Sequence, residues 1–161
     1  MTNLIAAVAG VQLRRLPGVV ARRRRLAARL LAAVGDLPGV HLPADPELHA
    51  WWVLPLVVDG GNRRWADALT AEGVPAHGGW LQSPVYLYPA LTERLTYGKS
   101  AFPLTSPPAR IEWTYGPGLC PEAERLVDDT LVVLQWNENY TDADVDDIAA
   151  ALTKVAGADP R

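Results

Sequence analysis

Apolar residues recur near helical spacing through the first thirty-odd positions. Leu4, Ile5, Val8, Val11 and Leu16 follow the 3.6-residue period among Ala, Arg, Gln and Leu, all good helix formers. Pro17-Gly18 breaks that pattern, because a proline suits the first turn of a helix better than its middle. Two helices are therefore predicted over residues 2–34, the second ending at Gly35-Asp36, with Val19, Val20, Leu26, Leu30 and Leu31 as its buried stripe. Residues 37–46, with three prolines, read as a loop. The unbroken apolar run within 49–58 (Trp51, Trp52, Val53, Leu54, Leu56, Val57, Val58) predicts a buried strand, and Pro55 within it calls for an edge position or a bulge.

Asp59-Gly60-Gly61-Asn62 is a turn, residues 63–72 a short helix with Trp65, Ala68 and Leu69 inward, and residues 74–77 a short strand. Residues 121–129 predict another short helix and residues 131–136 a β-prone run. Thr141 and Asp144 have capping-box spacing, so a last helix starts at Asp142, runs to about Val155 with Val145, Ile148, Ala149 and Leu152 on one face, and closes at Gly157. The order of elements predicts an α+β fold: a small three-stranded, mainly antiparallel sheet with helices packed on one side, preceded by a long interrupted N-terminal helix. The chain divides into a helical docking segment (1–34), a core (35–77 and 119–161) and an aromatic loop (78–118) within a single domain.

That loop is long and without clear period. It holds six prolines, Tyr86, Tyr88, Tyr97, Tyr115, Trp80 and Trp113. Length without periodicity points to function or disorder, and the aromatic content favours a binding loop.

Composition narrows the class. The chain has 161 residues, 49% hydrophobic and 20% charged, as in an ordinary globular domain. The N-terminus lacks the basic start and cleavage site of a signal peptide, and the purely apolar runs fall short of the ~20 residues of a membrane span, so no membrane partner is expected. One cysteine, Cys120, allows no internal disulfide and no metal cluster, which makes a cytoplasmic setting the default. Net charge is −3 but lopsided: seven arginines and no acid in residues 1–34, ten acids against three bases in residues 120–161. The two ends either attract each other or form two surfaces, one of which meets a partner. Arg22 to Arg25 fan around a helix instead of forming a stripe, and no basic aromatic groove accompanies them, so nucleic acid is not expected as a partner.

Five segments, in order, resemble the C-terminal part of the DegT/DnrJ/EryC1/StrS aminotransferases. Residues 1–13 resemble the family helix M-x-E-L-Q-A-A-x-G-x-x-Q-L, followed by an R-R-R-x-x-A run at 22–28. Ala71-Glu72-Gly73-Val74-Pro75-Ala76 resembles the helix end and strand before the family's active-site loop, and Ser83-Pro84-Val85-Tyr86 with Pro89 its P-L-Y-x-x-P element. Cys120-Pro121-Glu122-Ala123-Glu124-Arg125-Leu126 is similar to C-P-x-A-E-x-L, and residues 139–148 resemble the capped terminal helix.

The resemblance implies the small domain of a fold-type-I pyridoxal-phosphate (PLP) enzyme acting on a keto-sugar, keto-cyclitol or related intermediate. The family's Schiff-base lysine, pyridinium acid and phosphate cup sit mainly in the large domain, and its G-x-N-x-R element would lie before Met1. PLP is therefore expected only in complex with a large-domain partner chain; a homo-oligomer through the N-terminal helices is the other association implied. The alternative is a non-catalytic binding or scaffold domain that kept the fold.

No catalytic or metal-binding residue is assigned. Substrate contact is expected from His77, Trp80, Tyr86 and Tyr88, because the corresponding family stretch lies over the cofactor and because hydroxyls plus a ring face suit a polyhydroxylated ring; loop packing is the plain alternative. Lys99 lacks the phosphate cup and acid that a Schiff-base lysine needs, and Lys154 suits a helix end. Cys120 has no His–acid pair nearby in sequence and reads as packing.

Overall fold

The computed structural model describes residues 1–95, 98, 102–104 and 114–158. Tyr97, Lys99 and Trp113, named above, lie outside the described residues.

The chain opens with one helix, α1, Asn3–Val34, capped by the Thr2 hydroxyl, which accepts from the Ile5 N–H at 3.4 Å. The expected interruption is absent: Pro17 lies inside α1. Pro17 is exposed, so its ring and the missing N–H bond fall on the solvent side, where a long helix tolerates distortion best. The buried stripe is Leu26, Ala27, Leu30, Leu31 and Val34, whereas Val19 and Val20 are only half-buried. Leu4, Ile5, Val8, Val11, Leu13 and Leu16 are exposed.

The sheet has four antiparallel strands in the order β1-β2-β4-β3: β1 Val40–His41, β2 Val53–Val58, β3 Ala76–Gly78 and β4 Leu131–Gln135. β1 arises within the stretch expected to be loop. Two residues with no periodicity of their own become a strand because the Gly39 turn, at φ +71°, lays Val40 opposite Val58. Pro55 lies opposite Val133 of β4, and β1 reaches only Val57 and Val58, so the other side of Pro55 is unpaired by β1, as at an edge.

Alternation divides the sheet. Val40, Leu54, Leu56, Val58, Ala76, Val132 and Leu134 face a core shared with α1, α2 (Asn62–Ala71) and α5 (Asp142–Gly157). His41, Val53, Pro55, Val57, His77, Leu131, Val133 and Gln135 occupy the alternate positions on the other face. Between β3 and β4 come α3 (Pro89–Thr92) and α4 (Pro121–Arg125); α4 runs without a break into a π turn, Leu126–Thr130, so the helical segment covers the expected 121–129 with its second half wound more loosely. That turn anchors the start of α2. The Val127 carbonyl accepts from the buried Asn62 amide at 3.3 Å, and the Asp129 carboxylate accepts from the Gly61 N–H at 2.9 Å.

The lopsided charge resolves within the chain. Arg23 pairs with Glu138 at 2.6 Å, Arg25 with Asp142 at 2.8 Å and Arg29 with Asp146 at 2.7 Å; the last two are bidentate. Arg22 donates to the carbonyls of Glu138 (2.7 Å) and Tyr140 (2.9 Å). The arginine run is thus a seam that holds α1 against α5. The capping box forms as expected, with the Asp144 N–H donating to the Thr141 hydroxyl at 3.2 Å and the Thr141 N–H to Asp144 at 2.7 Å.

Candidate functional site

The expected site residues fall into two groups at the β3 end of the sheet. His77 is on β3, opposite Val133 of β4, so Gln135, two residues further along β4, is its diagonal neighbour on the same face. Their side chains meet, His77 Nε2 lying 3.0 Å from Gln135 Nε2. After β3 the Gly78-Gly79 turn brings Trp80 back over His77, with ring centroids 5.5 Å apart at 61°. Trp80 also meets Trp52 edge-to-face at 6.0 Å and 80°. Trp52, His77, Trp80 and Gln135 therefore form a contiguous polar-aromatic corner.

The turn needs its glycines. A Cβ at Gly78 would lie 2.5 Å from the Asn62 carbonyl carbon, 2.6 Å from the Arg63 nitrogen and closer still to the Asn62 oxygen, and Gly79 has φ +67°. The strand end and the first turn of α2 are in backbone contact, which sets where His77 and Trp80 stand.

Tyr86 belongs to the second group. It lies in a 3-10 turn, Val85–Leu87, and its hydroxyl donates to the Glu124 carboxylate and accepts from the Cys120 N–H at 3.2 Å. Glu124 also accepts from the Gly118 N–H at 2.7 Å. Desolvation first, and then the bond to Glu124, raises the Tyr86 hydroxyl to about 12. The same bond is the main cause that holds the Glu124 carboxyl below its ordinary range. Two segments of the sequence resemblance, one around Tyr86 and the other Cys120–Leu126, thus meet in one knot. Tyr88 is exposed, and its carbonyl accepts from the Leu91 and Thr92 N–H groups at the start of α3.

Trp52 and Gln135 were missing from the residues expected at this site. Trp52 stood inside an unbroken apolar run, which predicts burial, yet it is 68% exposed. Gln135 ends a β-prone run and carries no motif; only the pairing register puts it beside His77.

Of the two lysines, Lys154 is bound by the Glu72 carboxylate at 2.7 Å near the end of α5, and Lys99 is outside the described residues. Cys120 is exposed at the N-cap of α4.

An α+β unit with one long leading helix and a small antiparallel sheet is the architecture found in aminotransferases of known structure. A model of the DegT/DnrJ/EryC1/StrS aminotransferase family matches residues 1–153, and the chain belongs to that family. Among solved structures it is similar to the aminotransferase TlmJ of Streptoalloteichus hindustanus (TM-score 0.71, 22% identity, 95% of this chain and 36% of that one). It is also similar to a DegT DnrJ EryC1 StrS aminotransferase of Brucella abortus (TM-score 0.66, 24% identity, 94% and 35%). A third is DesV of S. venezuelae, solved in complex with a ketimine intermediate (TM-score 0.67, 24% identity, 94% and 35%). At these identities the likeness shows the fold, and the chain spans 35–36% of the length of these relatives.

Proposed function

We infer that this chain is the small-domain part of a PLP-dependent aminotransferase. In this reading it acts on a keto-sugar, keto-cyclitol or related intermediate and completes its active site with a large domain on a separate chain. Bound PLP supplies the electron sink that lets an amino group pass between donor and keto acceptor; the large domain supplies the lysine, the pyridinium acid and the phosphate cup. The residues of this chain bind and orient the substrate. His77 and Trp80 present a polar edge and a ring face, and Tyr88 adds an exposed ring and hydroxyl. Tyr86, its hydroxyl held by Glu124, contributes the fixed position of the segment that carries Tyr88.

The observation that carries the association is α1. Leu26 and Leu30 are in the core, while Leu4, Ile5 and Val8 fall near the same face further up the helix, beyond Gln12 and Arg23, and are exposed. A second protein surface is the economical cover for that face. By length and composition α1 is also long and apolar enough to cross a membrane. Arg14 and Arg15 would then sit within the span at a few kcal/mol each, and this disfavours insertion.

Co-purification of the tagged chain from its source, with an absorbance scan, tests the reading. The expected result is a co-eluting large-domain protein and a visible PLP absorption band in the complex. The same band from the isolated chain overturns the separate-chain arrangement, and a colourless chain without a partner overturns the enzymatic reading.

A further inference from the structure

Trp51 and Trp52 are neighbours with opposite fates. Trp51 is 3% exposed and stacks on His49 with ring centroids 4.6 Å apart, but its backbone is left-handed, φ +52°. A bulky non-glycine residue rarely adopts that conformation, and such strain persists only where the surroundings impose it, often at functional sites. Here it accompanies an abrupt change of environment between adjacent residues. Trp51 enters the core, and Trp52 stands at the surface immediately before β2, braced edge-to-face against Trp80. An indole so exposed and yet held by a second indole is a fixed, open ring face, the arrangement that receives a ligand ring.

The polar half of the corner pairs the Gln135 amide with the His77 imidazole. With the Gln135 amide nitrogen placed toward His77 Nε2, the matching tautomer is the one in which Nε2 accepts and Nδ1 carries the proton. The other end of the Gln135 amide, its side-chain oxygen Oε1, is an acceptor. A donor from His77 and an acceptor from Gln135, beside an indole face, match a neutral ring that bears hydroxyls, each of which both donates and accepts.

We propose that Trp52 is the platform on which the ring of a neutral polyhydroxylated substrate lies, and that Gln135 is the positioning residue that orients His77 toward the ring hydroxyls. This deepens the proposed function by naming what sets ring specificity, and it rests on that reading for the identity of the site.

The test titrates the 15N-labelled chain with methyl α-D-glucopyranoside and follows the tryptophan indole N–H signals. The Trp52 and Trp80 signals are expected to shift saturably while those of buried Trp65 and Trp136 stay in place. Trp52→Ala should weaken binding roughly fivefold or more, about 1 kcal/mol at ~1.4 kcal/mol per tenfold. Trp52 is exposed, so that variant keeps the core intact, and circular dichroism checks this. For Gln135, the readout is the imidazole 15N spectrum of His77. The proton should be on Nδ1 in the native chain and move to Nε2 in Gln135→Glu, whose carboxylate only accepts.

No saturable shift up to the solubility limit of the sugar, or equal affinity in Trp52→Ala, overturns the platform. A native His77 protonated on Nε2 overturns the role of Gln135. None of these measurements involves PLP. Sugar binding by the chain with no transamination in the purified complex would sink the proposed function alone, whereas transamination that is indifferent to Trp52→Ala would sink this inference alone.

Discussion

Replacing Gly78 by alanine tests the link between the fold and the site. The added methyl would meet the Asn62 carbonyl and the Arg63 nitrogen, the carbon lying 2.5 Å and the nitrogen 2.6 Å away. Both belong to the backbone of the first turn of α2, so no rotamer change relieves the clash. Asn62 is itself held by the Val127 carbonyl, and the adjacent Gly61 by Asp129, so α2 does not yield readily either. The edge strand β3 must therefore move away, at the ~1–3 kcal/mol typical of overpacking. For a chain of this size each kcal/mol shifts the melting temperature by about 2–4 °C, which gives a loss of roughly 2–12 °C. The displacement also passes to His77, one residue before, and Trp80, two after, so the His77 and Trp80 resonances should move with it. Thermal unfolding by circular dichroism and the indole spectrum read the two effects. Gly157→Ala is the control: nothing lies within 4 Å of its Cβ at the end of α5, and it should be neutral or stabilising by up to about 1 kcal/mol. A Gly78→Ala chain that melts with the native protein and keeps its indole spectrum would refute the claim that β3 and α2 are in unyielding contact.

Two further outcomes concern pH. The Tyr86 hydroxyl is raised to about 12 in the fold from an ordinary ~10, so its contribution is complete below the unfolded value and lost as pH rises through the folded one. Thermal melts should show the advantage of the native chain over Tyr86→Phe shrinking between about pH 10 and 12, and an advantage independent of pH would refute the assignment. At the acid end, Asp142 and Asp146 are lowered first by hydrogen bonds from Arg25 and Arg29, whereas Glu138 is lowered by a backbone hydrogen bond and then by Arg23. Groups lowered in this way stabilise the fold above their unfolded range near ~4 and lose that contribution as pH falls through the folded values. The double variant Asp142→Asn, Asp146→Asn should therefore lose less stability than the native chain on acidification, and equal acid melts would show that the seam carries no linkage.

Much of the fold was legible before the structure because it is written in local chemistry. The period of 3.6 in residues 2–34 and 142–155, the Thr141–Asp144 cap and the apolar runs at 53–58 and 131–135 each act within a few residues, which is the range a pattern can report. The site was legible only in part. His77 and Trp80 do stand together, but Tyr86 is tied to Glu124 and Cys120, 38 and 34 residues away. Gln135 joined the corner only through pairing across β3 and β4, and Trp52 only through its contact with Trp80, 28 residues along the chain.

The sequence by itself determined most of the helical segments, the Thr141–Asp144 cap, the strand segments β2, β3 and β4 and the family resemblance, because propensity, periodicity and motif order are properties of neighbours along the chain. Tertiary structure decided the rest. Pro17 lies on the exposed side of a helix that the core holds at its other end, and so does not break it. Val40 and His41 are a strand only because Val58 and Val57 lie opposite. The arginines at 23, 25 and 29 meet their acids across 115 to 117 residues and form an internal seam. Trp51 is buried in the core while its neighbour Trp52 is exposed against Trp80. Each of these depends on which distant surface a residue is brought against, and that information exists only once the layers pack.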